Sequence, residues 1–264
     1  MMDLDKFYTP KEVALTCINL VPNIEQYDKI IEPSAGNGSF SLQLECDAYD
    51  IAPENEHIIK QDWLNFYPPI GEHTLVIGNP PFGPRASLAK QFIKHSQEIG
   101  AETIAFILPD TFSKITNQSF NLFPDNWKLI VEYKLNDCNF IINDKENYYV
   151  PCSFYVWTKQ ESTINLRKTK LPLSDDFSFL PRGDIRADFS INGNNGKVKE
   201  IKDITNPKAE HYIQARKKPK QDLIKIFSNL QYNILSSVNG GNYWIGQQEI
   251  LKAYYDFLEE EKNE

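Results

Sequence analysis

Lys29-Ile30-Ile31-Glu32-Pro33-Ser34-Ala35-Gly36-Asn37-Gly38-Ser39-Phe40 runs from a short apolar strand into a glycine turn, with a carboxylate between them. Glycines let a backbone turn sharply and approach a ligand with no Cβ in the way. A turn at the carboxyl end of a strand is where open α/β sheets bind ligands. Gly36-x-Gly38-x-x-Ser41 lacks the third glycine of the dinucleotide fingerprint, and no Gly-Lys-Ser/Thr follows as in a phosphate loop. Glu32 at the mouth of the turn would repel a pyrophosphate and attract an ammonium or sulfonium group.

Around this stretch, strand and helix patterns alternate. Val13, Cys17 and Leu20 mark a helix face after Pro10. Cys46 to Ile51, His57 to Lys60 and Thr74 to Ile77 read as further strands, with a short helix expected between Phe40 and the second strand. Leu88, Phe92 and Ile99 mark another helix face, and Thr103 to Leu108 a fifth strand. This alternation predicts a doubly wound, mostly parallel α/β sheet. Trp127 to Leu135 and Val150 to Thr158 have no helix pattern between them and should pair antiparallel, closing a mixed sheet. From about Gln160 the chain turns polar and lysine-rich. Residues 160–175 read as a linker, and the division expected is a catalytic domain over 1–160 and a smaller α+β region over 161–264. Ile250, Leu251, Tyr254 and Leu258 keep helical spacing in a terminal helix packed on the body.

A chain of 264 residues with 41% hydrophobic and 24% charged residues can build a sizeable core. It has no membrane-length apolar run, and Met1 to Tyr8 shows no signal-peptide core. Cys17, Cys46, Cys138 and Cys152 are scattered without a Cys-x-x-Cys pair. That argues against disulfides or zinc and for a reducing cytoplasm. The net charge of -8 argues against coating of nucleic acid by bulk electrostatics but leaves room for a local basic face. No metal site is expected, and His57, His73, His95 and His211 are isolated.

Acids recur at strand ends. Asp50 closes the second strand and suits a pair of ribose hydroxyls, with Asp47 as the alternative ligand. Asp62-Trp63 after the third strand suits an amino group and the face of its ring. Glu32, Asp50 and Asp62 together point to a nucleoside cofactor. Asn79-Pro80-Pro81-Phe82 follows the fourth strand. Prolines fix the backbone, so the Asn79 carboxamide oxygen and the Pro80 carbonyl stand ready as two acceptors. Such a pair would take both hydrogens of an adenine N6 amino group and localise its lone pair. Phe82 would stack on the extruded base.

With these motifs in order (Phe7-Tyr8-Thr9-Pro10, Glu32 to Gly38, Asp50, Asp62 and Asn79-Pro80-Pro81-Phe82), the chain resembles the class I S-adenosylmethionine-dependent N6-adenine methyltransferases. The resemblance spans roughly residues 7–160, and its motif order is similar to the gamma arrangement of the DNA enzymes. It implies a Rossmann-like methyltransferase sheet with S-adenosyl-L-methionine as cofactor. Tyr8, Thr9 and Pro10 would flank the methionine part. Glu32, Ser34, Ala35, Gly36 and Gly38 would hold the amino-acid end, Asp50 the ribose, and Asp62 the adenine. DNA is favoured as partner over RNA. Related tetrapeptides also serve glutamine methylation, and a catalytically silent binding module is a further alternative.

The region from Lys197 to Lys220 has eight basic residues against three acidic ones. Arg182, Arg186, Lys217, Lys218 and Lys220 are the candidate phosphate contacts, with Tyr212, Tyr243 and Trp244 as aromatic partners. Asn192 to Gly196 and Asn239 to Asn242 read as hairpin turns.

Overall fold

A computed structural model of the chain describes residues 8–115, 122–135, 139–142, 146–149, 151–232 and 244–263. These form two compact units, one reaching Lys168 and the other beginning at Thr169.

The first unit is built on helix α1 (Lys11–Asn19) and strands β1 (Lys29–Glu32), β2 (Asp47–Asp50), β3 (Ile59–Lys60) and β4 (Thr74–Gly78). Helix α2 (Ser87–Glu98), β5 (Thr103–Pro109), β6 (Lys128–Leu135), β7 (Asn139–Ile142), β8 (Glu146–Tyr149) and β9 (Cys152–Thr158) follow. Seven of the strands make one sheet in the order β3-β2-β1-β4-β5-β9-β6. β1 pairs in parallel with both β2 and β4, and β3 and β5 extend the parallel part. β9 runs antiparallel between β5 and β6. This is a mixed, Rossmann-like sheet that ends in an antiparallel pair.

Every residue of β4, β5 and β9 is buried, as expected of central strands covered on both faces. β3 at the edge has two residues, both exposed, against four expected at 57–60. A strand this short offers little template for unwanted pairing. α1 starts directly after Pro10, whose carbonyl accepts the Ala14 N–H at 3.0 Å. Its buried stripe is Ala14, Cys17 and Ile18. Between Phe40 and β2 the expected short helix is absent, and a run of turns takes its place. Leu42 N–H reaches back to Gly38 and Gln43 N–H to Phe40, but the segment is too short to propagate. The polar stretch between β6 and β9 holds the β7–β8 antiparallel pair, which periodicity did not announce.

Residues 160–168 remain bonded to the first unit. Leu166 N–H donates to Leu129 at 2.7 Å, and the Arg167 guanidinium donates to the carbonyls of Phe123 (2.6 Å) and Pro124 (2.7 Å).

The second unit is an antiparallel sheet with two helices and its own core. Strands β10 (Phe177–Leu180), β11 (Phe189–Asn192), β12 (Val198–Lys199) and β13 (Glu210–Ala215) lie in the order β10-β13-β11-β12. Helices α3 (Lys220–Asn229) and α4 (Gln247–Asn263) complete it. Phe177, Phe189, Ile213, Phe227, Leu251 and Tyr254 are buried together. The expected turn at Asn192 to Gly196 links β11 to β12 as a hairpin. The one at Asn239 to Asn242 lies outside the described residues, as do Phe7, Cys138 and Tyr243.

Candidate active site

The glycine turn is held open by its neighbours rather than by its own helix. Ala35 N–H donates to the Tyr49 carbonyl at 2.9 Å, and Gly36 N–H donates to Asp50 Oδ2 at 2.8 Å. Gly36 sits at φ +54°, where the Tyr8 ring lies 3.5 Å from the place a Cβ would occupy. Left-handed backbone under an aromatic lid leaves glycine the natural occupant. Tyr8 is tied in turn to Glu54 through its hydroxyl.

The ends of β1, β2 and β4, with the turns that follow, surround a cavity of about 350 Å³. Its lining includes Tyr8, Thr9, Glu32, Ser34, Ala35, Gly36, Asp50, Asp62, Trp63, Asn79, Pro80, Pro81 and Phe82. These are the cofactor-binding and tetrapeptide residues that sequence reasoning singled out, apart from Pro10, Gly38 and the alternative Asp47. Pro10 lies outside it as the N-cap of α1. Gly38 lies behind the turn, at φ +89°, its missing Cβ facing Leu42, Asn55 and His57. Asp47 also stays outside: it begins β2, pairs with Lys29 and accepts from the Tyr49 hydroxyl. Of the two candidate ribose ligands, Asp50 is the one that reaches the cavity.

Each acid has a distinct environment. Glu32 is 2% exposed and its Oε2 accepts the Ser41 N–H at 2.9 Å. Burial pushes its carboxyl up to about 8, with the nearby Asp50 charge adding to the rise and the Ser41 bonds opposing it. Gly78, at the end of β4, lies beside it: a Cβ there would be in ordinary contact with Glu32 Cγ at 3.4 Å, and it is the backbone at φ +149° that suits glycine. Asp50 divides its oxygens between the Gly36 N–H and the Ala52 N–H (2.8 and 2.7 Å). Asp62 accepts from Leu64 N–H at 3.1 Å and from Asn65 Nδ2 at 2.6 Å, capping a short 3-10 turn. A carboxylate accepts about four hydrogen bonds, so Asp50 and Asp62 retain capacity toward the cavity.

Asn79 carries the sharpest feature. Its Nδ2 donates to Thr9 Oγ1 at 3.1 Å, while its Oδ1 is buried with no hydrogen-bond partner among the described residues. Its backbone carbonyl accepts from Ser34 Oγ at 3.2 Å, fixing the tetrapeptide to the glycine turn. Buried acceptors are nearly always paired, so an orphaned one on a residue that lines the cavity marks a place for a donor. Trp63 is buried against Tyr49 and His95, and its Nε1 likewise has no partner. Phe82 is 7% exposed and belongs to the core as well as to the cavity, while its carbonyl accepts from Leu88 and Ala89 at the start of α2.

Sequence reasoning missed Gln61, Leu64, Leu88 and Phe92 in the lining. Leu88 and Phe92 carried a signal, their helical spacing, but it reads equally as core. Gln61 carried none. No cluster of three metal-ligating side chains occurs among the described residues, and no described helix is long and apolar enough to cross a membrane.

The basic candidates of the second unit are less free than their sequence suggests. Arg186 forms a two-pronged pair with Asp184 (2.9 and 2.6 Å), Lys217 pairs with Asp175 at 2.6 Å, and Lys220 with Glu200 at 3.3 Å. Such exposed pairs are weak and can exchange partners. Arg182 is exposed and Lys218 half-buried. Tyr212, expected to stack, is instead 4% exposed on β13, whereas Trp244 stays 38% exposed beside His211.

No family model and no curated protein matches this chain. Among solved structures it is similar to PH1948 of Pyrococcus horikoshii, provisionally described as an RNA methyltransferase. There the TM-score is 0.45 at 16% identity, over 59% of this chain and 87% of that one. It is also similar to yhhF of Escherichia coli, provisionally described as a methyltransferase, with a TM-score of 0.37 at 13% identity, over 57% and 88% of the two chains.

Proposed function

We propose that the chain is an S-adenosylmethionine-dependent methyltransferase acting on the N6 amino group of adenine in nucleic acid, DNA in the first instance. The observation that carries the reading is Asn79 in the lining of an acid-lined cavity, its buried Oδ1 without a partner among the described residues. The cavity fits the cofactor on three counts. Its volume of about 350 Å³ lies in the range of small-molecule sites. The buried Glu32 carboxyl suits an ammonium group, and Asp50 and Asp62 suit hydroxyl and amino donors. The backbone at Gly36 permits close approach. When bound, S-adenosylmethionine supplies an electrophilic methyl group.

The protein's own part is to prepare the nucleophile. An adenine amino nitrogen is weak because its lone pair is delocalised into the ring. Asn79 Oδ1 accepts one of its hydrogens, and the Pro80 carbonyl is the acceptor for the other. Both hydrogen bonds strengthen as positive charge develops on nitrogen, which stabilises the transition state more than the ground state. The extra proton leaves to solvent after transfer, so no general base is required beforehand. Phe82 and the neighbouring prolines wall the base, and the resemblance in motif order favours DNA.

The test is incubation with methyl-labelled S-adenosylmethionine and either DNA or RNA, followed by digestion to nucleosides. Label in N6-methyladenine from DNA is the expected result. Label in RNA alone would transfer the reading to RNA, and label in guanine or in protein alone would end it.

A further inference from the structure

The bond from Asn79 Nδ2 to Thr9 Oγ1 has both its ends anchored. Thr9 is 6% exposed and its carbonyl accepts from Ser39 Oγ at 2.7 Å. Asn79 is held by Ser34 through its backbone carbonyl. Both anchors belong to the glycine turn that lines the cavity. A carboxamide turned by half a revolution exchanges oxygen for nitrogen with almost no change of shape, so packing alone does not choose its orientation. A hydroxyl can meet either face: it accepts from Nδ2 or donates to Oδ1. If its hydrogen is engaged elsewhere, it can only accept, and Oδ1 is then forced away from it. Thr9 lines the cavity, where a ligand acceptor such as a carboxylate would engage that hydrogen.

We propose that the Thr9 hydroxyl is a positioning group that fixes the Asn79 carboxamide with Oδ1 toward the substrate, and that cofactor in the cavity locks this orientation. The inference rests on the methyl-transfer reading and adds to it an order of events: the amide is set by the cofactor before the substrate amino group arrives. It also gives the site a chemical preference. With Oδ1 outward the amide accepts only, so it favours an amino group over a carbonyl oxygen or an unprotonated ring nitrogen.

The test uses the full ¹⁵N-labelled chain, with the Asn79 side-chain amide pair assigned by its loss in Asn79→Ala. S-adenosylhomocysteine is the probe. In the parent, saturation should slow exchange of this pair with water. Thr9→Val, which keeps the shape and removes the hydroxyl, should shift the pair and abolish the response, and Thr9→Ser should restore both. Thr9→Ala serves if the valine variant fails to fold. In single-turnover methylation at saturating S-adenosylmethionine, Thr9→Val should lose about tenfold in the chemical step, the order of one orienting hydrogen bond, over and above the weaker half-saturation that follows from losing the Thr9 bond to the ligand. An unchanged amide pair in Thr9→Val overturns the proposal. So does a loss confined to cofactor affinity with a normal chemical step. A parent that methylates neither DNA nor RNA refutes the functional reading, and the amide pair then judges Thr9 alone.

Discussion

Binding of S-adenosylmethionine should expel a proton from Glu32 and should strengthen as pH rises toward 8. Glu32 is 2% exposed and its carboxyl is pushed up to about 8 by burial. At pH 7 roughly nine in ten empty molecules therefore carry it neutral. A cation in the cavity favours the ionised form and lowers that value. Below pH 8 binding must then drive off the proton, so affinity climbs with pH; above 8 the carboxylate is already formed and the Glu32 contribution levels off. If the bound form is fully ionised, affinity gains up to about tenfold per pH unit well below 8, and the gain tapers as pH nears 8. Titration calorimetry at pH 7 in two buffers of different ionisation enthalpy should report net proton release on binding. Glu32→Gln should bind more weakly at pH 8 and show neither the pH dependence nor the Glu32 share of the released protons. The sign for folding is opposite. A carboxyl whose folded-state value lies above its unfolded value near 4.5 favours the neutral form, so the empty protein loses stability as pH rises from 4.5 to 8. Glu32→Gln should flatten that loss. A pH-independent affinity with no buffer dependence would refute the role assigned to Glu32.

On the proposed mechanism, Asn79→Ala should keep cofactor affinity, because the unpartnered Oδ1 is assigned to the substrate amino group, and should lose about a hundredfold to a thousandfold in single-turnover methylation. Asp50→Ala should weaken cofactor binding roughly ten- to a hundredfold by calorimetry, and it also releases the Gly36 N–H that holds the turn. Asp47→Ala, outside the cavity, should change that affinity little. Neutralising Lys217, Lys218 and Lys220 together should weaken nucleic-acid binding for all sequences and reduce its salt slope, measured by fluorescence anisotropy. Equal slopes would leave these lysines as a solvated face.

The part of the fold that sequence made readable is the part governed by period and punctuation. Lys29–Glu32 was recovered whole because β-branched residues end there on Pro33 and a glycine turn. β5 and β9 are continuous apolar runs that only a central strand explains. The errors lie where local signals are weak. Between Phe40 and Asp47 the residues Ser41-Leu42-Gln43-Leu44 look helical, yet Leu42 is 66% exposed and the span is only long enough for turns. β7 and β8 are a short pair within a polar stretch, where alternation is too brief to register.

For the site, chemistry was readable at strand ends and geometry was not. Acids after three successive strands converge on one cavity because parallel strands bring their carboxyl ends to the same edge. No spacing rule, however, reveals that Thr9 and Asn79, seventy residues apart, share a hydrogen bond. Nor could sequence separate Phe82 the base platform from Phe82 the core residue, since an aromatic after two prolines suits both. At 7% exposure it is a core residue that also lines the cavity, with consequences for mutagenesis. Phe82→Ala should lose about 1–3 kcal/mol of base stacking and, separately, part of the core packing that large-to-small changes typically cost at about 3–5 kcal/mol. The two losses are separable. A weaker substrate with an intact melting temperature would assign Phe82 to stacking. A lower melting temperature that accounts for the whole loss of activity would assign it to the core. Phe82→Leu, which refills much of the volume without a ring face, should recover stability and leave substrate binding impaired. Full recovery of both would remove Phe82 from the substrate site.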